Sequence, residues 1–176
     1  MAGPTIACIG IIGKNDKPLH VSLFPPHLES HLDFSFLLNS CLDIFEIRQK
    51  QTSVDQDLGL LHAVDERLAA YGWLTNTGVK FLIIVDMAGC SMTVDTEKRK
   101  GTAVAGLRDS DLKPAFRALQ TAYVQLLQNP FYAPDDHVST AKTTPAASCS
   151  PQITNQRFIA EVKRIGETWA PGLANI

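Results

Sequence analysis

Cysteine is scarce and scattered in this 176-residue chain: Cys8, Cys41, Cys90 and Cys149 form no C-x-x-C pair and no dense framework. That excludes a disulfide-stapled secreted scaffold and points to a reducing compartment. Cys8 and Cys41 stand in apolar runs, where a thiol serves as a small hydrophobe. Basic excess is missing too. The 16 Lys and Arg residues against 18 Asp and Glu give a net charge of -2, which leaves no positive field for nucleic acid or anionic lipid. No apolar run approaches the ~20 residues of a membrane span, and Met1-Ala2 is not a myristoylation start. Ile6 to Gly13 resembles the apolar part of a signal peptide, but no basic segment precedes it and Gly13-Lys14-Asn15-Asp16 turns the chain at once. A first strand is therefore expected there, and membrane association only through a partner.

What is present is the composition of a folded protein, 45% hydrophobic and 19% charged. A chain of this length is expected to form one domain over residues 1–176 and to bury roughly two-thirds of its unfolded surface. The most informative stretch is Tyr71 to Asp86. Tyr71, Trp73 and Thr75 recur at the period of a half-buried strand, and Asn76-Thr77-Gly78 supplies residues that tolerate positive φ. Val79 to Val85 is then almost wholly apolar and rich in β-branched or aromatic residues, the pattern of a central strand covered on both faces.

The rest of the chain arranges itself around that hairpin. Thr5 to Ile12 and Leu19 to Phe24 form a first hairpin, stopped by Pro25-Pro26. Ser30 to Asp33 fits a capping box, and Phe34, Leu37, Leu38, Cys41, Leu42 and Phe45 recur at helical spacing until the pattern fades near Gln49 to Thr52. Leu58 to Val64 reads as a third strand. Asp109 opens a second helix with Pro114 inside its first turn, and Asn129-Pro130 closes it. A last helix places Phe158, Ile159, Val162, Ile165 and Trp169 on one face. Residues 88–107 and 133–152, rich in Gly, Ser, Thr, Pro or mixed charge, read as long loops. The predicted order is β-β-α-β-β-β-α-α. It implies an α+β fold: one five-stranded antiparallel sheet with the first helix on one face and the two C-terminal helices on the other.

Chemical motifs fail one by one. Gly10 to Lys14 lacks the glycine and the Ser or Thr of a phosphate loop, since Cys8 and Asn15 hold those places. His27 and His31 are four apart, but the cap puts His27 outside the helix and no third ligand is evident, so both read as solvated histidines. Cys41 could pair with His62 or His137 as nucleophile and base, yet it lies on the apolar stripe, where burial makes a thiol inert. Asp43 and Asp86 are acids without a nucleophile elbow or glycine-rich loop beside them. No catalytic residue, cofactor site or metal site is predicted.

Two features suggest contact with other proteins. The segment Cys41 to Glu46 carries more apolar side chains than one helix face hides, so Ile44, Phe45 or Ile47 is expected to leave an exposed patch beside acids. The alternative is a helix packed on two sides. In Asn129-Pro130-Phe131-Tyr132, one ring is expected to enter the core and the other to lie near the surface; the motif reads either as a helix stop with a core plug or, through the outer ring, as an anchor in a partner's pocket.

Tyr71-Gly72-Trp73-Leu74-Thr75-Asn76-Thr77-Gly78-Val79-Lys80-Phe81, Val85-Asp86, Leu58-Gly59-Leu60-Leu61 and Asn129-Pro130-Phe131-Tyr132, in this order, resemble the sedlin family over most of residues 5–132. The resemblance implies a longin or profilin-like fold, in agreement with the element order. It also implies a non-enzymatic subunit of the TRAPP (trafficking protein particle) complex, with other TRAPP subunits as partners. That complex acts as nucleotide exchange factor for a Rab GTPase in endoplasmic reticulum to Golgi and Golgi traffic, so the protein is expected in the cytoplasm, on those membranes through the complex. Leu42-Asp43 is similar to the family's Leu-Asp near the end of the first helix, which implies a role for Asp43 as a contact or helix-end determinant; the alternative is an ordinary solvated acid. With it, Phe45, Ile47, Phe131 and Tyr132 complete the expected protein interface. The two long loops depart from the family's compact members.

A rival reading is another longin-type trafficking module, such as a SNARE regulatory domain or a small adaptor subunit. A longin SNARE is expected to continue into a heptad-repeat helix and often an anchor, and the sequence to Ile176 carries neither.

Overall fold

The computed structural model describes residues 3–51, 57–87, 107–132 and 152–173. The strands are β1 (Thr5–Ile12), β2 (Pro18–Leu23), β3 (Asp57–Ala63), β4 (Leu68–Leu74) and β5 (Lys80–Asp86). The helices are α1 (His31–Gln51), α2 (Asp109–Leu127) and α3 (Gln156–Thr168). They follow one another as β-β-α-β-β-β-α-α, and the strands form one antiparallel sheet in the order β2-β1-β5-β4-β3. The two long loops expected from composition fall almost entirely outside the described residues.

β5 is the middle strand, and all seven of its residues are buried. Its apolar run is therefore explained by helices on both sides. The turn that feeds it is set by Thr75, whose hydroxyl donates to the Val79 carbonyl at 2.8 Å and accepts from the Val79 amide at 2.9 Å. Gly78 completes the reversal at φ 84°, a conformation that glycine adopts without Cβ strain. At the same end of the sheet, buried Lys80 forms an ion pair with Asp16 in the β1–β2 turn.

The register sorts residues by size. On one face Tyr71, Ile83 and Ile9 form a row across β4, β5 and β1, and Trp73, Phe81 and Ile11 form the next. These large side chains meet α2 and α3. Trp73 stacks on Phe116 with centroids 5.7 Å apart, Phe81 meets Tyr123 edge-on at 5.8 Å, and Tyr123 meets Phe158 at 6.5 Å. Asn155 caps α3 by accepting from the amides of Arg157 and Phe158, and the Trp169 indole donates to the Asp111 carbonyl of α2. On the other face the rows are Ala70, Ile84, Cys8 and Gly72, Leu82, Gly10. There the floor is shallow, and α1 seats Phe34, Leu38, Cys41 and Phe45 in it.

Some expectations shift. β4 begins at Leu68 rather than Tyr71, because Leu68-Ala69-Ala70 pair with Asp86, Val85 and Ile84 although their small side chains give little alternation. Pro114 lies in the second turn of α2, so the exposed Ser110 carbonyl four residues back has no amide to receive.

Candidate functional site

Burial divides the expected contact residues. Phe45, expected beside an exposed patch, is fully buried at 0% exposure. A Cβ on Gly72 would stand 2.6 Å from the end of the Phe45 ring and 2.4 Å from Leu61, so the missing side chain in β4 is what makes room for that ring. Phe45 is a core residue, and its place in the expected interface is corrected. Ile44 is half-buried and packs against the same cluster. Ile47 is 56% exposed and Asp43 is exposed on the side of α1 away from the sheet.

At the α2 terminus, Asn129 shapes a tight corner. Its side-chain oxygen accepts from the Phe131 amide at 3.1 Å, and its carbonyl accepts from the Tyr132 amide at 3.0 Å. The corner turns Tyr132 back against the core cluster and projects Phe131 outward at 93% exposure. Beside it lies an open groove of about 690 Å³ between the end of α2 and the start of α3, with Gln125, Gln128, Asn155, Arg157 and Glu161 on its walls.

The residues that could have carried chemistry are placed for structure. Burial pushes the Cys41 thiol up to about 11 and the Cys8 thiol up to about 12. His62 is exposed on β3 while Cys41 is wholly buried, and His137 lies outside the described residues. His27, expected to be solvated, instead meets the buried Asp86 carboxylate at 2.7 Å, and Arg67 approaches the same oxygen at 3.5 Å. Two other segments of the chain thus converge on the end of β5. His20 is lowered by burial and then by the charge of Lys163, and it bonds the Ser22 hydroxyl at 2.7 Å. Among the described residues, no group of three or more His, Cys, Asp or Glu side chains is placed to hold a metal ion. No helix among them is long and apolar enough to cross a membrane.

Sequence reasoning missed part of the exposed surface. Leu32 and Phe36 stand on the same outer side of α1 as Asp43 and Ile47, at 73% and 70% exposure. Their four-residue spacing, out of phase with Phe34, Leu38, Cys41 and Phe45, was the available signal.

A helix pair and a single helix on opposite faces of a five-stranded antiparallel sheet, with apolar side chains left on the outer surface, make this an α+β protein of longin or profilin type. The sedlin family model matches residues 11–150. A Dictyostelium discoideum protein named trafficking protein particle complex subunit 2-like protein is 34% identical over 142 residues, 78% of this chain and 89% of its own length. The Mus musculus protein of the same name is 30% identical over 139 residues, 76% of this chain and 87% of its own. The chain belongs to the sedlin family.

Proposed function

We propose that this protein is a non-enzymatic subunit of a TRAPP complex and that it supports assembly of the Rab nucleotide exchange factor used in endoplasmic reticulum to Golgi and Golgi traffic. The observation that carries the reading is similarity along most of both chains to proteins named as subunits of that complex. Residues 1–176 act in it as one domain. Its partners are other TRAPP subunits, with a Rab GTPase reached through the assembled complex. The protein works in the cytoplasm and on Golgi and endoplasmic reticulum membranes through the complex. Contacts are made by Asp43 and Ile47 on α1 and by Phe131 and Tyr132 at the α2 corner, the exposed ring of Phe131 serving as the anchor.

Affinity purification of the tagged full chain, with identification of the bound proteins, tests the proposal. Recovery of several TRAPP subunits in stoichiometric amounts is expected. Recovery of SNARE or adaptor proteins in their place would assign the chain to a different longin-type role.

A further inference from the structure

Helical geometry puts about 100° between successive residues, so Leu32, Phe36, Asp43 and Ile47 fall on one line of α1, opposite the buried Phe34, Leu38, Cys41 and Phe45. Leu28, 60% exposed in the turn before the helix, carries the apolar character one step further. Three large apolar side chains are therefore held in solvent along about 22 Å of helix, at ~1.5 Å per residue, with Leu28 beside its start. They are interleaved with the exposed carboxylates of Glu29, Asp33, Asp43 and Glu46. No Lys or Arg occurs between Lys17 and Arg48. At the far end Arg48 is tied to the Leu58 carbonyl at 2.6 Å, and Lys50 is exposed beyond Ile47.

That charge pattern discriminates between occupants. A second copy docked through the same stripe would set carboxylates against carboxylates, and an anionic lipid surface would be repelled. A helix with an apolar stripe bordered by Lys and Arg satisfies both components at once. We propose that the outer stripe of α1 docks an amphipathic, basic-edged helix of another protein, its apolar residues covering Leu28, Leu32, Phe36 and Ile47 and its cations facing the four acids. This rests on the reading of the chain as a complex subunit and specifies the chemistry of one of its partners.

The test purifies the tagged full chain with its bound subunits, carrying a photo-crosslinking benzoylphenylalanine in place of Phe36, and maps the crosslinked peptide by mass spectrometry. A crosslink inside an amphipathic segment of a TRAPP subunit with several Lys or Arg residues is expected. Leu32→Glu and Phe36→Glu should each lower recovery of that subunit roughly ten-fold or more with an unchanged circular dichroism spectrum. Raising salt from about 50 mM to about 500 mM should release it from the wild type more than from an Asp33→Lys, Asp43→Lys variant. A crosslink to a second copy, to an acidic or uncharged segment, or to no protein overturns the inference, as does undiminished recovery by both glutamate variants. A wild-type preparation without any TRAPP subunit overturns the functional reading instead. The mapped crosslink then judges the surface alone, and a basic amphipathic segment in an identified protein sustains it.

Discussion

The two faces of the sheet are both covered, but by opposite means. Toward α2 and α3 the strands present Tyr71, Trp73, Phe81 and four isoleucines, and two helices interlock with them through aromatic contacts. Toward α1 they present Gly10, Gly72, Ala70 and Cys8 beside Leu82 and Ile84, and one helix supplies the bulk. A floor of small residues lets α1 sit low, and four buried side chains, flanked by half-buried Leu37, Leu42 and Ile44, complete that core. Only the outer side of α1 is left out of that packing. On the second face the outer side of α1 leaves Leu32, Phe36 and Ile47 exposed.

Truncating the row that fills the shallow floor should do the most damage. Phe45→Ala removes a fully buried ring and is expected to cost about 3–5 kcal/mol, much as Phe116→Ala should on the opposite face. Urea denaturation of both variants checks this, and a Phe45→Ala cost under about 1 kcal/mol would mean that α1 is not seated as described. Raising the floor is the converse change. Gly72→Ala puts a Cβ inside the Phe45 and Leu61 contacts and is expected to cost about 1–3 kcal/mol, seen as a lower melting temperature.

Alkaline pH separates the faces without mutation. Cys8 and Cys41 both belong to the α1 side, and burial raises both thiols above their ordinary value of 9.0. The unfolded chain therefore loses these protons first as pH rises, so it binds fewer protons than the folded protein and stability falls above about pH 9. Their contribution is fully present below that pH and is lost progressively up to about 11 for Cys41 and about 12 for Cys8. Denaturation midpoints at neutral and alkaline pH, for wild type and for Cys8→Ala with Cys41→Ala, should show a smaller alkaline loss in the double variant. The least effect on stability belongs to the outer stripe. Ile47→Ala and Asp43→Phe should change it by no more than about 0.5 kcal/mol while weakening co-purification of partner subunits. Loss of the folded circular dichroism spectrum in Asp43→Phe would show that acid to be structural.

Much of this architecture was legible in the sequence because it is written locally. The period of two in Tyr71 to Thr75, the turn before Val79, the unbroken apolar run after it and the helical spacing from Phe34 onward each act over a few residues. Together they fix the element order and the two-sided cover of β5. The errors arise where depth is set at a distance. Helical spacing sets Phe45 in line with Phe34, Leu38 and Cys41 and Ile47 about 200° away, but the expectation still groups Phe45 with the exposed patch. How deep its ring sits is decided by the hollow at Gly72, which the fold brings under α1 from 27 positions away in sequence. His27 finds Asp86 across 59 residues, and no local pattern announces that pair. At the α2 corner two adjacent rings were visible, but which one turns inward depends on how Asn129 folds back on the amide of Phe131.

The strand order has a consequence for how the chain comes into being. β1 with β2 and β3 with β4 are hairpins of near neighbours, whereas β5 lies between them and, among the described residues, is the last strand to be made. During synthesis the inner edges of β1 and β4 therefore stay open until residue 86 has emerged, and one seven-residue segment then joins two halves into a continuous sheet. A chain stopped before Lys80 would contain four of the five strands and yet have no common sheet to hold them.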